Sequence, residues 1–193
     1  IIEEQSNRLI KLVENVLAVS KVQSKENYVY KSISVNSSIK SVIPIVQQQY
    51  KNYKIVTDFN EKLPPIIVDN NNFQQIIINL VENACKYSKD GSEVKVKTNF
   101  APNDFVSIKV IDHGVGIKEE NKEKIFEKFS RIDNPLTREV QGSGLGLYIT
   151  KNLVENMNGK INVESSENGT TFEVLMPIGD IENQARAKCA PKH

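Results

Sequence analysis

The chain has 193 residues, enough for one sizeable core and an appended element. Its 25 basic and 24 acidic residues nearly cancel, which argues against nucleic acid or a membrane surface as a partner. Two distant cysteines, Cys85 and Cys189, exclude a disulfide framework and point to a reducing compartment, the cytoplasm. No apolar run reaches the roughly 18 residues of a membrane span. The first residue is not Met, so the expectation is a fragment, with room for a membrane anchor upstream of Ile1.

Ile1 to about Ser24 reads as a charged amphipathic helix. Ile2, Leu9 and Val16 recur at heptad spacing, with Leu12 and Val19 in the intervening turn and Val13 and Leu17 adjoining. That stripe needs cover from the globular part, a second copy or a segment outside the chain. A polar linker follows. Tyr30–Val35 alternates as a strand, and Asn36 or Ser37 can cap a helix running to Tyr50, with Pro44 inside it. Lys54–Asn60 and Ile66–Val68 read as strands. Glu93–Phe100 and Phe105–Ile111 read as a strand pair turning at Pro102-Asn103-Asp104. Glu119–Phe129 looks helical within a long polar region, with Phe126 and Phe129 as packing for a lid. Leu145–Met157 is a helix ended by Asn158-Gly159, and Lys160–Glu164 and Thr170–Met176 close as a hairpin. The pattern predicts an α+β sandwich: a mixed sheet of about five strands with three helices on one face, preceded by one long N-terminal helix.

The stretch Asn72–Lys86 organises the rest. At about 100° per residue, Phe73, Ile76, Ile77, Leu80, Val81 and Ala84 form one apolar side. Asn79, Asn83 and Lys86 fall in a stripe about 60° wide on the other, flanked by Gln75 and Glu82. Asparagine is a poor interior helix residue, because its amide competes for the backbone. Two of them beside a lysine fit amide oxygens for a hard cation such as Mg²⁺ and a point charge for phosphate. An ordinary exposed face is the bland alternative. Cys85, on the apolar flank, reads as a small buried residue.

Two glycine-rich segments follow. Asp112-His113-Gly114-Val115-Gly116-Ile117 comes directly after a strand. Its carboxylate can accept from an exocyclic amine and so select adenine over guanine. Gly114 and Gly116 would let the backbone approach a flat base. Gly142-Ser143-Gly144-Leu145-Gly146-Leu147 opens a helix, whose N-terminal amides suit phosphate oxygens. Neither segment is a Walker loop, and neither has the strand–turn–helix setting of a dinucleotide fold. Arg131 and Arg138 lie in the intervening lid, where they can reach phosphate or face water. His113 lacks the neighbours for a metal cluster or a serine–histidine pair.

These residues resemble the boxes of sensor histidine kinases. Asn79-Leu80-Val81-Glu82-Asn83-Ala84-Cys85-Lys86-Tyr87 is similar to the N box and Asp112–Ile117 to the G1 box. Ile125–Arg131 is similar to the F box and Gly142–Leu147 to the G2 box, in the same order. Gly169–Pro177 resembles the last strand, and Gln5–Leu9 with Leu17–Lys21 resembles the second helix of the dimerisation and phosphotransfer hairpin. The resemblance implies a Bergerat-type ATP-binding fold over residues 28–178, a partial hairpin over 1–25 and a tail over 179–193. It implies ATP and Mg²⁺ as cofactors, with Asn83 on the metal and Asn79 and Lys86 on the phosphates or metal shell. Tyr87 and Ile117 would line the pocket and Asp112 read adenine with Thr170 near it. Gly114 and Gly116 would shape the slot. Gly142, Ser143, Gly144, Leu145, Gly146 and Leu147 would wrap the triphosphate, with Arg131 near the γ-phosphate. It further implies γ-phosphoryl transfer to a histidine on a helix missing from this chain, a homodimer in the intact protein, and relay to the aspartate of a response regulator receiver domain. A degenerate, merely nucleotide-sensing module is the alternative. In ATP-hydrolysing relatives a glutamate four residues before the metal asparagine activates water; here that place is Asn79, an amide with no useful basicity.

Overall fold

The computed structural model describes residues 28–130 and 142–179, together with Val13, Leu17, Val19, Ser20 and Val22. Strand β1 is Tyr30–Ile33, helix α1 Val35–Gln49, β2 Lys54–Phe59 and β3 Ile66–Asp69. Helix α2 is Asn70–Tyr87, and β4 Glu93–Ala101 and β5 Phe105–Ile111 follow it. Helix α3 is Gly146–Asn156, followed by β6 Lys160–Ser166 and β7 Gly169–Pro177. Five strands form one mixed sheet in the order β2-β4-β5-β7-β6, with β2 parallel to β4 and the other pairs antiparallel. Strands β1 and β3 make a separate antiparallel pair.

Alternation fixes which face is dry. Val94, Val96 and Thr98 on β4, Val106, Ile108 and Val110 on β5, and Phe172, Val174 and Met176 on β7 are all buried. Register aligns them in rows: Val96 opposite Val110 and Val110 opposite Phe172, then Thr98 opposite Ile108 and Ile108 opposite Val174. The helices pack on this side, where Phe73, Ile76, Ile77, Leu80 and Val81 of α2 are wholly buried. The opposite side carries ion pairs instead, Lys97–Asp58 at 3.5 Å and Lys109–Glu173 at 3.4 Å. The α+β class, the five-stranded mixed sheet and its helix-covered face are as expected.

Local signals place the ends of α2. Asp69 Oδ1 accepts from the Asn72 N–H at 3.0 Å, capping the helix, and Oδ2 accepts from the Val29 N–H at 2.8 Å. One carboxylate thus starts the helix and ties the β1 segment to it. Three expectations need correction. Helix α1 begins at Val35, capped by Ser34 Oγ, because Asn36 is buried and bridges Asn60 O and Thr98 Oγ1. Pro44 lies inside α1, as expected. Residues 119–129 form no α-helix, only 3₁₀ turns at Glu119–Asn121 and Lys124–Phe126, neither with a side-chain cap. Phe126 does pack, edge-on to Phe172 at 6.4 Å between centroids, but Phe129 is 65% exposed. The five described residues before Tyr28 are all helical. Val22 is buried in the core and Val19 packs against it, whereas Val13 and Leu17 are exposed. No helix among the described residues is long and apolar enough to cross a membrane.

Candidate nucleotide site

The end of α2 meets the first glycine segment directly. Ser88 bridges Gly114 in an antiparallel pair, and the Val115 N–H reaches the Tyr87 carbonyl at 3.4 Å. A Cβ on Gly114 would strike that carbonyl, and one on Gly116, at φ 69°, would strike the Ser166 carbonyl. Both glycines are therefore required by the protein's own backbone, whatever lies against them. The Ser88 hydroxyl, buried at this junction, is the one buried side-chain polar atom left without a partner among the described residues.

Asp112 adjoins this junction. It is buried, and its Oδ1 accepts from the N–H of Gly114 at 2.8 Å and of Thr170 at 3.2 Å. Its own N–H donates to the Thr170 carbonyl at 2.9 Å. No hydrogen bond among the described residues reaches Oδ2. Burial pushes the carboxyl above its ordinary range, while the Gly114 and Thr170 N–H groups pull it back. The result is a fixed carboxylate with one oxygen spent and one available. Ser165 Oγ, which the sequence reading missed, holds the surrounding loop. It accepts from the Ile117 N–H at 2.8 Å and pairs with Thr170 Oγ1 at 2.9 Å. Nothing local in the sequence marks Ser165, since its partners lie up to 48 residues away.

Along the wet edge of α2, the three expected residues differ. Lys86 Nζ is paired with Glu82 Oε2 at 3.0 Å, both side chains part-buried. Asn79 is also occupied: its Oδ1 accepts from Gln75 Nε2 at 3.0 Å, and its Nδ2 donates to Thr150 Oγ1 on α3 at 3.3 Å. Asn83, part-buried between them, has an amide with no hydrogen bond among the described residues. Its carbonyl oxygen is the donor type a hard cation takes, so the residue fits Mg²⁺. Tyr87 is 41% exposed at the end of the helix.

The second glycine segment leads into α3. Leu145 is buried, and the helix starts without a side-chain cap; the Leu145 N–H meets Ser143 Oγ at 3.3 Å. The first-turn N–H groups of Gly146 and Leu147 have no carbonyl four residues back within the helix, leaving a positive end for an anion. Gly142 and Gly146 face open space, whereas Gly144, at φ 70°, is pressed against the Phe129 and Ser130 backbone. Arg131, Arg138 and the lid over 131–141 lie outside the described residues, as do the 1–12 portion of the N-terminal helix and the tail from residue 180.

Comparison with known proteins agrees with this geometry. Residues 68–180 match the family described as "Histidine kinase-, DNA gyrase B-, and HSP90-like ATPase". The chain is 33% identical over 177 residues to the signal transduction histidine-protein kinase ArlS of Staphylococcus haemolyticus, covering 89% of this chain and 38% of that protein. The ArlS protein of Staphylococcus aureus is 33% identical over 174 residues, with the same coverage. The chain thus spans well under half the length of these relatives. Among solved structures, the catalytic domain of histidine kinase ThkA is 27% identical, with a TM-score of 0.68, covering 78% of this chain and 98% of that one. Full-length ShkA in complex with AMPPNP is 25% identical, with a TM-score of 0.78, covering 91% of this chain and 37% of that one. The chain belongs to the histidine kinase-, DNA gyrase B- and HSP90-like ATPase family, as an ATP-binding domain of the histidine kinase kind.

Proposed function

We propose that this domain holds Mg-ATP between α2, Asp112 and the start of α3, and donates the γ-phosphoryl group to a histidine on a helix outside this chain. Asp112 Oδ2 accepts from the adenine N6 amine, with Thr170 beside it. Asn83 contributes its amide oxygen to Mg²⁺, which would neutralise charge on the phosphates. Gly142 and the backbone N–H groups of Gly146 and Leu147 at the start of α3 receive phosphate oxygens. Lys86 reaches the phosphates only by giving up Glu82, Asn79 Oδ1 faces the metal shell once Gln75 releases it, and Arg131 joins from the lid.

The observation that carries transfer over hydrolysis is the Asn79 amide. It stands four residues before Asn83, it has no basicity, and both its ends are engaged. The nearest carboxylate on that edge, Glu82, is committed to Lys86 at 3.0 Å. Among the described residues no group on that edge is placed to strip a proton from water, so ATP waits for an incoming imidazole nitrogen. That nitrogen attacks phosphorus, the bond to the bridging oxygen breaks, and ADP leaves. The intact protein would act as a homodimer and pass the phosphoryl group to a response regulator. The related ThkA has been solved in complex with the response regulator TrrA, with a TM-score of 0.74. Residues 1–25 would supply half of the dimerisation hairpin.

The test mixes this chain, γ-labelled Mg-ATP and a separate histidine-bearing hairpin. Acid-labile, base-stable label on the hairpin is the expected result. Release of free phosphate with no labelled hairpin would overturn it.

A further inference from the structure

Thr150 is wholly buried on α3, among the buried Ile149, Leu153 and Val154. Valine has nearly the same volume and buries no hydroxyl, so packing alone does not call for threonine. The hydroxyl has one hydrogen-bond partner among the described residues, Asn79 Nδ2 at 3.3 Å across the helix interface. Asn79 is held at its other end by Gln75 at 3.0 Å. Its amide is therefore oriented, with the donor end toward α3 and the acceptor end toward the outer edge of α2.

Helical spacing gives that contact its reach. Asn79 lies one turn before Asn83 on the same face of α2, and Gly146 lies one turn before Thr150 on the same face of α3. A single interhelical bond thus sits one turn from the amide that fits the cation and one turn from the open glycine at the α3 N-terminus.

We propose that Thr150 is a positioning residue for the metal-bound nucleotide: its hydroxyl orients Asn79 and sets the first turn of α3 against the Asn79–Asn83 edge. The inference rests on the Mg-ATP reading above. Thr150 touches neither nucleotide nor metal; it acts through Asn79. Because Asn79 is part-exposed, water can satisfy Nδ2 once the hydroxyl is gone, so removing the hydroxyl spares the fold while loosening the amide.

The test uses the full 193-residue chain and three variants, Thr150→Val, Thr150→Ser and Asn79→Ala. Melting temperature is measured, with the ATP dissociation constant in excess EDTA and in excess Mg²⁺. The ratio of the two constants is the metal-dependent tightening. Thr150→Val should keep the melting temperature and the metal-free constant while cutting the tightening about fivefold. Thr150→Ser should recover most of it, and Thr150→Val should have no further effect in an Asn79→Ala background. Unchanged tightening in Thr150→Val overturns the proposal, as does a loss that persists undiminished without Asn79. Should Thr150→Val fail to fold, Asn79→Ala decides: it must lose the same tightening, and its failure to do so overturns the proposal. A wild-type chain that binds no ATP overturns the Mg-ATP reading and this inference with it, whereas a binding wild type beside an identical Thr150→Val overturns this inference alone.

Discussion

Replacing Asp112 by Asn separates recognition from stability. Oδ1 already holds two backbone N–H groups, at 2.8 and 3.2 Å, and an amide oxygen can keep both. The new NH₂ must then take the place of Oδ2, the oxygen left for the ligand. It faces the adenine N6 amine, so an acceptor–donor contact becomes donor against donor. Losing a charge-assisted bond and stranding two buried donors costs about 3–4 kcal/mol, a few hundred-fold in ATP affinity. Guanine carries an acceptor, O6, where adenine carries that amine, so the preference for ATP over GTP should narrow at the same time. Stability should barely move. Burial raises the Asp112 pKa above 3.8, so the fold holds that proton more tightly than the unfolded chain does. The charge therefore costs stability at neutral pH, and the cost is relieved as pH falls through the folded pKa toward 3.8. Asp112→Asn removes this term. Wild type should accordingly gain on the variant as the pH is lowered. Calorimetric titration with Mg-ATP and Mg-GTP, beside thermal melts at two pH values, reads all of these effects. ATP binding within about twofold of wild type, in a variant that melts normally, would refute the assignment of Oδ2 to adenine.

Asn83→Ala should abolish the tightening of ATP binding by Mg²⁺ while leaving metal-free binding within about threefold, measured by the same titrations. Gly169→Ala should unfold the hairpin end or fail to express, because φ is 137° and its Cβ would strike the Asp112 carbonyl; Gly142→Ala, with open space around it, should melt like wild type. Burial, reinforced by Glu82, pushes the Cys85 thiol up to about 12. In a Cys189→Ser background, native Cys85 should resist a thiolate-directed alkylator at pH near 8 and react rapidly in urea. The same shift should make the fold lose stability as pH rises beyond 9, where the unfolded thiol ionises first.

The sequence made much of this legible because α2 is strongly periodic and Asp69 is a local cap, and both signals need only neighbouring residues. The strand pair around Asn103 and Asp104 was readable for the same reason, and both residues adopt positive φ in the turn. The failures share a cause. Ser34, Asn36 and Ser37 all offer a cap, and what decides among them is the recruitment of Asn36 by Thr98, 62 residues away. Residues 119–129 have helical composition, but only Ile125 and Phe126 anchor to the core, which is too few for α-helical turns. The pairing of Lys86 with Glu82 follows the i,i+4 rule and was open to reading. The grip of Thr170 on Asp112, 58 residues apart, was not available from local pattern at all.

Crystals of the chain grown with AMPPNP and Mn²⁺, standing in for Mg²⁺, test most directly whether the α2 edge and Asp112 serve one ligand. The predicted result is anomalous manganese density beside the Asn83 amide oxygen, with the adenine amine hydrogen-bonded to Asp112 Oδ2. A nucleotide seated away from Asp112, or a metal bound away from Asn83, would contradict it.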